Sequence, residues 1–274
     1  MIQPISFLIF IYILPAEKEP IAGGMEQEEN IYEKIQELLG DLNGNFNVLE
    51  EQISIDTQLE YFEFSTDLKK TFNSDDTFLK KETLFSSDLP IEEKKTLLVH
   101  LASVDKVEAY RVIEQYQSCP DPELKDWATM AFQESKMLME SSLLDQNQVF
   151  ISTGLGGKGS KLRYFVVFIA KDNQILEEFQ KNILRSEIEF AFRKKDSVLE
   201  NINYSGCLTI CKMLIPIKVQ FNLLFEEIIE ASNQLGDFLD KNYLVTNVKE
   251  LSLEEITDVL NTAKTNDQSD SEEV

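Results

Sequence analysis

The residues that most suggest chemistry lie between Ile151 and Ala170, in ISTGLGGKGSKLRYFVVFIA. Gly154, Gly156 and Gly159 spell G-x-G-x-x-G. Gly157 adds a further glycine, and Lys158, Lys161 and Arg163 supply positive charge. Backbone N–H groups exposed by a glycine loop and backed by cations can cradle a phosphate or carboxylate. A dinucleotide site also needs a helix to begin at the loop, because its first turn supplies free N–H groups and a favourable dipole. Here Gly159 leads instead into Phe165, Val166, Val167, Phe168 and Ile169, which favour a strand. The P-loop pattern also fails. Lys158 is followed by Gly159 rather than Ser or Thr, and Ser152 stands where the first glycine belongs.

The stretch is therefore expected to be a glycine-rich hairpin loop, with VFISTG and LRYFVVFIA as strands on either side and several loop residues at positive φ. A hairpin uses one or two glycines, yet four of the chain's ten fall here. The alternative is a flexible basic loop that closes over an anion. Its ligands would be Gly154, Gly156, Gly157, Lys158, Gly159, Lys161 and Arg163, with help from Arg193.

The other chemical candidates have plainer readings. Cys207 and Cys211 are four apart, which on a strand separates them by about 13 Å, too far for one metal or a disulfide. Cys119 precedes Pro120 at a helix end, with no base beside it in sequence. His100, the one histidine, falls in the apolar stretch TLLVHLASV and reads as a packing residue. Arg193 to Asp196 (RKKD) ends a helix, where basic residues complement the dipole. Glu226 and Glu227 sit on the outer face of an amphipathic helix, unpaired for acid–base work. No catalytic constellation, metal site or cofactor motif emerges.

The net charge of −23 repels nucleic acid and anionic lipid at long range. Yet residues 151–195 hold nine Lys or Arg against five Asp or Glu. Any anion recognised is expected there. With 43% hydrophobic residues the chain can bury a core. Three cysteines fit a reducing compartment, so a cytoplasmic protein is expected. Ile5–Leu14 (ISFLIFIYIL) is too short to span a bilayer and lacks the basic flank of a signal peptide. Residues 1–24 are read as an apolar extension or spurious upstream start, with translation beginning at Met25. Export through a genuine signal is the alternative.

Stepping along the chain, residues 25–146 read as a helical domain. Met25–Leu39 carries Ile31, Ile35, Leu38 and Leu39 at helical spacing, and GDLNGN breaks it. Residues 46–87 give a mixed, mostly helical signal. Asp88, Pro90 and the following acids start a helix, and Val107, Tyr110, Ile113 and Tyr116 stripe the next. Pro122 opens another helix, striped by Leu124, Trp127, Ala128, Ala131, Phe132 and Ser135. Residues 147–262 then alternate as β-β-α-β-β-α-β, with helices from Asn173 and Asn222, a second strand pair around Gly206, and a last strand from Tyr243 to Val248. That order predicts an α+β layer sandwich approximating a ferredoxin-like arrangement with one extra strand. LEEITDVLNTA closes as a short helix, and residues 263–274 read as an acidic disordered tail. Both faces of the strand from Leu162 to Ala170 are apolar, so the face away from the two helices is expected to be covered by the helical domain or a second copy.

Asp121, Pro122, Glu123, Leu124, Trp127, Ala128 and Ala131 resemble a HEAT-like repeat unit, here about one unit near residues 89–144. Lys161, Phe165, Val166 and Phe168 match part of the RNP1 strand of an RNA-recognition motif, but Leu162, Arg163 and Tyr164 depart from it, and the acidic charge opposes RNA. ISTGLGGKGSKLRYFVV and GDFL…YLVTNV resemble an uncharacterised bacterial protein family, which implies no site residues. The sequence thus points to a non-enzymatic cytoplasmic interaction or adaptor protein, with a protein partner or a second copy. The alternative is a regulatory protein or enzyme binding a small anion at loop 154–161. Nucleic-acid binding and membrane insertion are not expected.

Overall fold

The computed structural model describes residues 7–10, 46–70, 80–144 and 149–269. The expected helix at Met25–Leu39 lies outside them. The chain divides into two compact units. Of the described residues, one unit holds those up to Ser152 and the other those from Thr153 onward.

The first unit is mostly helical: α1 (Ile55–Lys69), α2 (Ile91–Ala102), α3 (Val107–Ser118) and α4 (Lys125–Leu144). Ser54 caps α1 by accepting from the Thr57 amide at 3.2 Å. Pro90 precedes α2, whose first turn carries Glu92 and Glu93, as the sequence predicts. Pro122 opens a 3-10 turn, Pro122–Leu124, that runs directly into α4. Leu98, Leu101, Ile113, Leu124, Trp127 and Ala128 form its core. Val107 does not join them; it is exposed at the start of α3, and Ala109 is buried in its place.

The helices share this unit with a small parallel sheet that the sequence reading does not contain. β1 (Phe7–Phe10) and β2 (Phe46–Val48) each pair in parallel with β3 (Val149–Ser152), in the order β1-β3-β2. This corrects the hairpin expected across the glycine loop. VFIS pairs with β1 and β2, not with LRYFVVFIA. The hairpin is shorter and lies inside the loop. β4 (Gly157–Lys158) pairs antiparallel with the start of β5 (Lys161–Ala170) around Gly159-Ser160. Gly159 has φ +60° and opens a two-residue turn, where a left-handed first position matches the right-handed twist of the strands.

The second unit is α+β. From β5 the chain runs through α5 (Glu178–Lys194), β6 (Val198–Ser205), β7 (Leu208–Pro216), α6 (Phe221–Gln234), β8 (Leu239–Thr246) and α7 (Leu253–Ser269). The sheet is antiparallel, with β6 beside β7, β7 beside β5, and both β4 and β8 beside β5. Cys207 lies in the turn between β6 and β7 rather than on a strand. α5 starts later than Asn173, because Asp172 and Asn173 take left-handed backbone and Glu177 with Gln180 forms a capping box. Ile175, before the helix begins, and Phe179, in its first turn, are exposed. α7 continues past Thr262, where the sequence reading begins a polar tail.

β5 is buried on both faces, as its composition requires. Tyr164 packs at a tilt on Phe221, and Phe168 edge-to-face on Phe225, both of α6, at ring-centroid distances of 5.5 and 6.0 Å. Phe165 and Val167 on the other face pack with Leu155, Leu244 and Ile256. The cover for that second face comes from α7 and the segment around Leu155, within the same unit. It does not require the helical unit or a second copy.

Candidate functional site

The glycine loop is folded inward. Gly154 to Gly157 are buried, whereas Lys158, Gly159 and Ser160 are exposed. The Leu155 amide donates to the Asn247 carbonyl at 2.9 Å, and the Gly156 amide to Thr153 at 3.3 Å. A side chain at Gly154 would collide with the Val248 backbone, so that glycine permits a close approach of two chain segments. Two of the three cations of this region have partners already. Arg163 grips Glu200 with two hydrogen bonds, Nε to Oε2 at 2.6 Å and an NH2 donor to Oε1 at 3.1 Å, and donates a third to the Leu155 carbonyl at 2.8 Å. Lys161 bonds Asp196 at 3.0 Å. Lys158 alone of the three points into solvent without an ion pair among the described residues.

A more open arrangement lies next door, between α5 and β6. A cleft of about 470 Å³ runs between the helix and the strand, lined by Arg185, Glu189 and Arg193 on one wall and by Val198, Leu199 and Asn201 on the other. Arg185, Glu189 and Arg193 are each four residues apart, so they form one row along the helix. Neither Arg185 nor Arg193 forms an ion pair among the described residues. Arg185 sits near Tyr204 and Cys211 of the sheet. Burial pushes the Cys211 thiol up to about 12, with Arg185 opposing, and raises the Tyr204 hydroxyl, again against Arg185. Glu200 is the extra residue of a bulge in β6, between the pairs Leu199↔Met213 and Asn201↔Lys212. Arg163 therefore holds the bulge in place. Among the described residues β6 pairs only with β7, so its outer edge is open along the same cleft.

At the end of the sheet a second hollow of about 580 Å³ is lined by Lys194, Lys195, Lys218, Leu223 and Glu227. Lys194 lies 4.1 Å above the Phe190 ring and 3.4 Å from Glu227. Arg193 precedes Lys194 and Lys195 at this corner, where Asp196 and Glu227 also stand. Sequence reading missed Arg185, Glu189 and the β6 edge. Two signals were present: the R-x-x-x-E-x-x-x-R spacing, and the polar run Glu200, Asn201 and Asn203 inside a strand.

The remaining candidates are accounted for by packing. Tyr164, Phe165 and Phe168 are buried, so β5 presents none of these rings for base stacking. His100 is half-buried, and burial lowers its pKa. Cys119 is exposed and Cys211 buried. No group of three or more His, Cys, Asp or Glu among the described residues could hold a metal ion. No helix among them is long and apolar enough to cross a membrane.

No family model matches the chain, and no curated protein does. Among solved structures, a chain described as a candidate transposase from Deinococcus radiodurans R1 is similar at 12% identity with a TM-score of 0.31, over 39% of this chain and 91% of that one. A likeness that slight carries nothing about fold or function.

Proposed function

We propose that this chain is a non-enzymatic, cytoplasmic protein-interaction or adaptor protein that docks partners along the open edge of β6. The observation that carries this reading is an eight-residue edge strand lying against a cleft walled by α5. A strand added there gains main-chain hydrogen bonds from the edge and side-chain specificity from the cleft. The sandwich is read as ferredoxin-like, supported by the antiparallel strand order β8-β5-β7-β6 with a helix after β5 and after β7. The helical unit is read as HEAT-like from its PDPEL turn between α3 and α4.

A photo-crosslinking side chain at Asn201 on the edge should capture a protein partner in cells, while one at exposed Ser186 should not. Equal capture from both positions, or none from Asn201, would sink the reading.

The second reading, a small anion bound at Gly154, Gly156, Gly157, Lys158, Gly159, Lys161 and Arg163, rests on solvent-facing Lys158. Lys158→Ala should change stability by less than about 0.5 kcal/mol, as exposed substitutions do. If the loop binds phosphate, the same variant weakens that binding, most strongly at low salt, where the Debye length is longer. A phosphate titration unaffected by Lys158→Ala and Lys161→Ala would remove this reading.

A further inference from the structure

Resting on the edge-docking reading above, we infer that the occupant of the α5–β6 cleft is an extended acidic peptide with carboxylates four residues apart and a non-acidic residue midway, in the pattern Glu-x-Lys-x-Glu. The charges of the cleft select it. Glu200 is neutralised by the two-pronged grip of Arg163. Among the described residues, the charges without an ion pair that line the cleft are Arg185 (which also hydrogen-bonds Tyr204), Glu189 and Arg193. Two cations thus flank one anion. Past Arg193, where the second hollow opens, Lys194 and Lys195 stand among Asp196 and Glu227, with Lys194 paired to Glu227, so the selecting charges are the three on α5.

Helix and strand geometry set the spacing. Arg193 lies eight helical steps after Arg185, about 12 Å at a rise of about 1.5 Å each. In a strand, residues on one face repeat every two positions, and four positions span about 13 Å. A strand laid on the β6 edge therefore brings its first and fifth residues to the two arginines and its third to Glu189. Acidic residues at the ends pair with Arg185 and Arg193, and a lysine between them pairs with Glu189. The pattern reads the same in both chain directions, so the match is independent of whether the added strand runs parallel or antiparallel to β6. A guanidinium also suits a carboxylate better than an ammonium does, because its planar fork donates two bonds at once.

The bulge at Glu200 bears on the same edge. Bulges commonly blunt an edge strand against indiscriminate pairing. Here the bulge is tied down by Arg163, and the arginine row of α5 stands beside it. Pairing at this edge is thereby made conditional on charge. A second copy would bring another Arg185 and Arg193 toward the first pair across a twofold β6–β6 contact, which disfavours it relative to an acidic strand.

The test uses the full-length protein and three synthetic peptides: Thr-Glu-Val-Lys-Val-Glu-Thr, its charge-reversed form Thr-Lys-Val-Glu-Val-Lys-Thr, and the first peptide with proline in place of its central lysine. Binding is read by fluorescence anisotropy, and amide hydrogen exchange is followed across Val198–Ser205. The first peptide should bind at least about tenfold tighter than the reversed one and slow exchange in β6, and Arg193→Glu should lose that preference while Arg193→Lys retains part of it. The proline peptide should bind weakly and leave β6 exchange unchanged, because it cannot continue the ladder. If both charge forms slow β6 exchange equally, the acidic occupant is wrong but edge docking stands. If no peptide slows it, edge docking fails as well. If β6 is already protected in a dimer seen by sedimentation, the occupant is a second copy and the inference is overturned.

Discussion

Gly154→Val should destabilise the α+β unit by about 3 kcal/mol, the upper end of what a packed interior loses when forced to accept added bulk it cannot absorb. A Cβ on Gly154 would overlap the carbonyl group of Val248, a backbone group with no rotamer to turn aside. Moving it would strain the neighbouring hydrogen bond from the Leu155 amide to Asn247. It would also displace Leu155, which is fully buried against Phe165, Val167, Leu244 and Ile256. One substitution thus disturbs the cover over the second face of β5. Gly159→Ala is the control. It has φ +60° and open space around it, so only left-handed strain is added, about 1–2 kcal/mol. Urea unfolding of both variants separates the causes. If Gly154→Val costs no more than Gly159→Ala, the close approach is not what the first glycine secures.

That contrast shows what the glycine motif could and could not tell. The sequence supports the conclusion that no helix follows the loop, because Phe165 to Ile169 can only be strand-like. It does not reveal that glycines two to five residues apart serve different purposes: one admits a neighbouring backbone, and another opens a two-residue turn. The partner at Gly154 is Val248, more than ninety residues away, and no local pattern announces it. The parallel sheet was hidden for the same reason. Three or four residues of Phe7–Phe10 and Phe46–Val48 are too short for periodicity to register, and parallel pairing carries no hairpin signal. In the first unit α2, α3 and α4 were legible because each spans at least three turns with an apolar stripe, whereas α1, which buries Gln58, Tyr61 and Ser65, gave only a mixed signal. The second face of β5 was legible as buried. What buried it was not, since the stripe of Ile256, Val259 and Leu260 in α7 looked like a short closing helix. The binding edge was hardest to see, because its meaning lies in what β6 lacks on one side, and pairing is not written into a strand's own residues.

Asp121→Ala should cost the helical unit about 2–3 kcal/mol, because it leaves the ammonium of Lys94 buried without a counter-charge. Lys94 is 3% exposed, and its Nζ lies 2.5 Å from Asp121 Oδ2. The same oxygen accepts from the Tyr116 hydroxyl at 2.6 Å. One carboxylate at the PDPEL turn therefore joins α2, α3 and the entry to α4. Its side chain is 36% exposed, so water brings the loss below the ~3–5 kcal/mol of a fully buried pair. The hydrogen bonds from Lys94 and then from Tyr116 hold the Asp121 carboxyl below its ordinary value of 3.8. A carboxyl whose pKa is depressed on folding stabilises the protein fully above its unfolded value and loses that contribution as pH falls through its folded value. Thermal melts of the wild type should therefore drop as pH falls below about 4, and Asp121→Asn, which cannot titrate, should lack that part of the drop. At neutral pH Asp121→Asn should fall between the wild type and Asp121→Ala, since it keeps an acceptor but not the charge. Equal melting temperatures for the wild type and Asp121→Ala at pH 7 would mean that Lys94 reaches water by another route, and that the ion pair does not hold the three helices together.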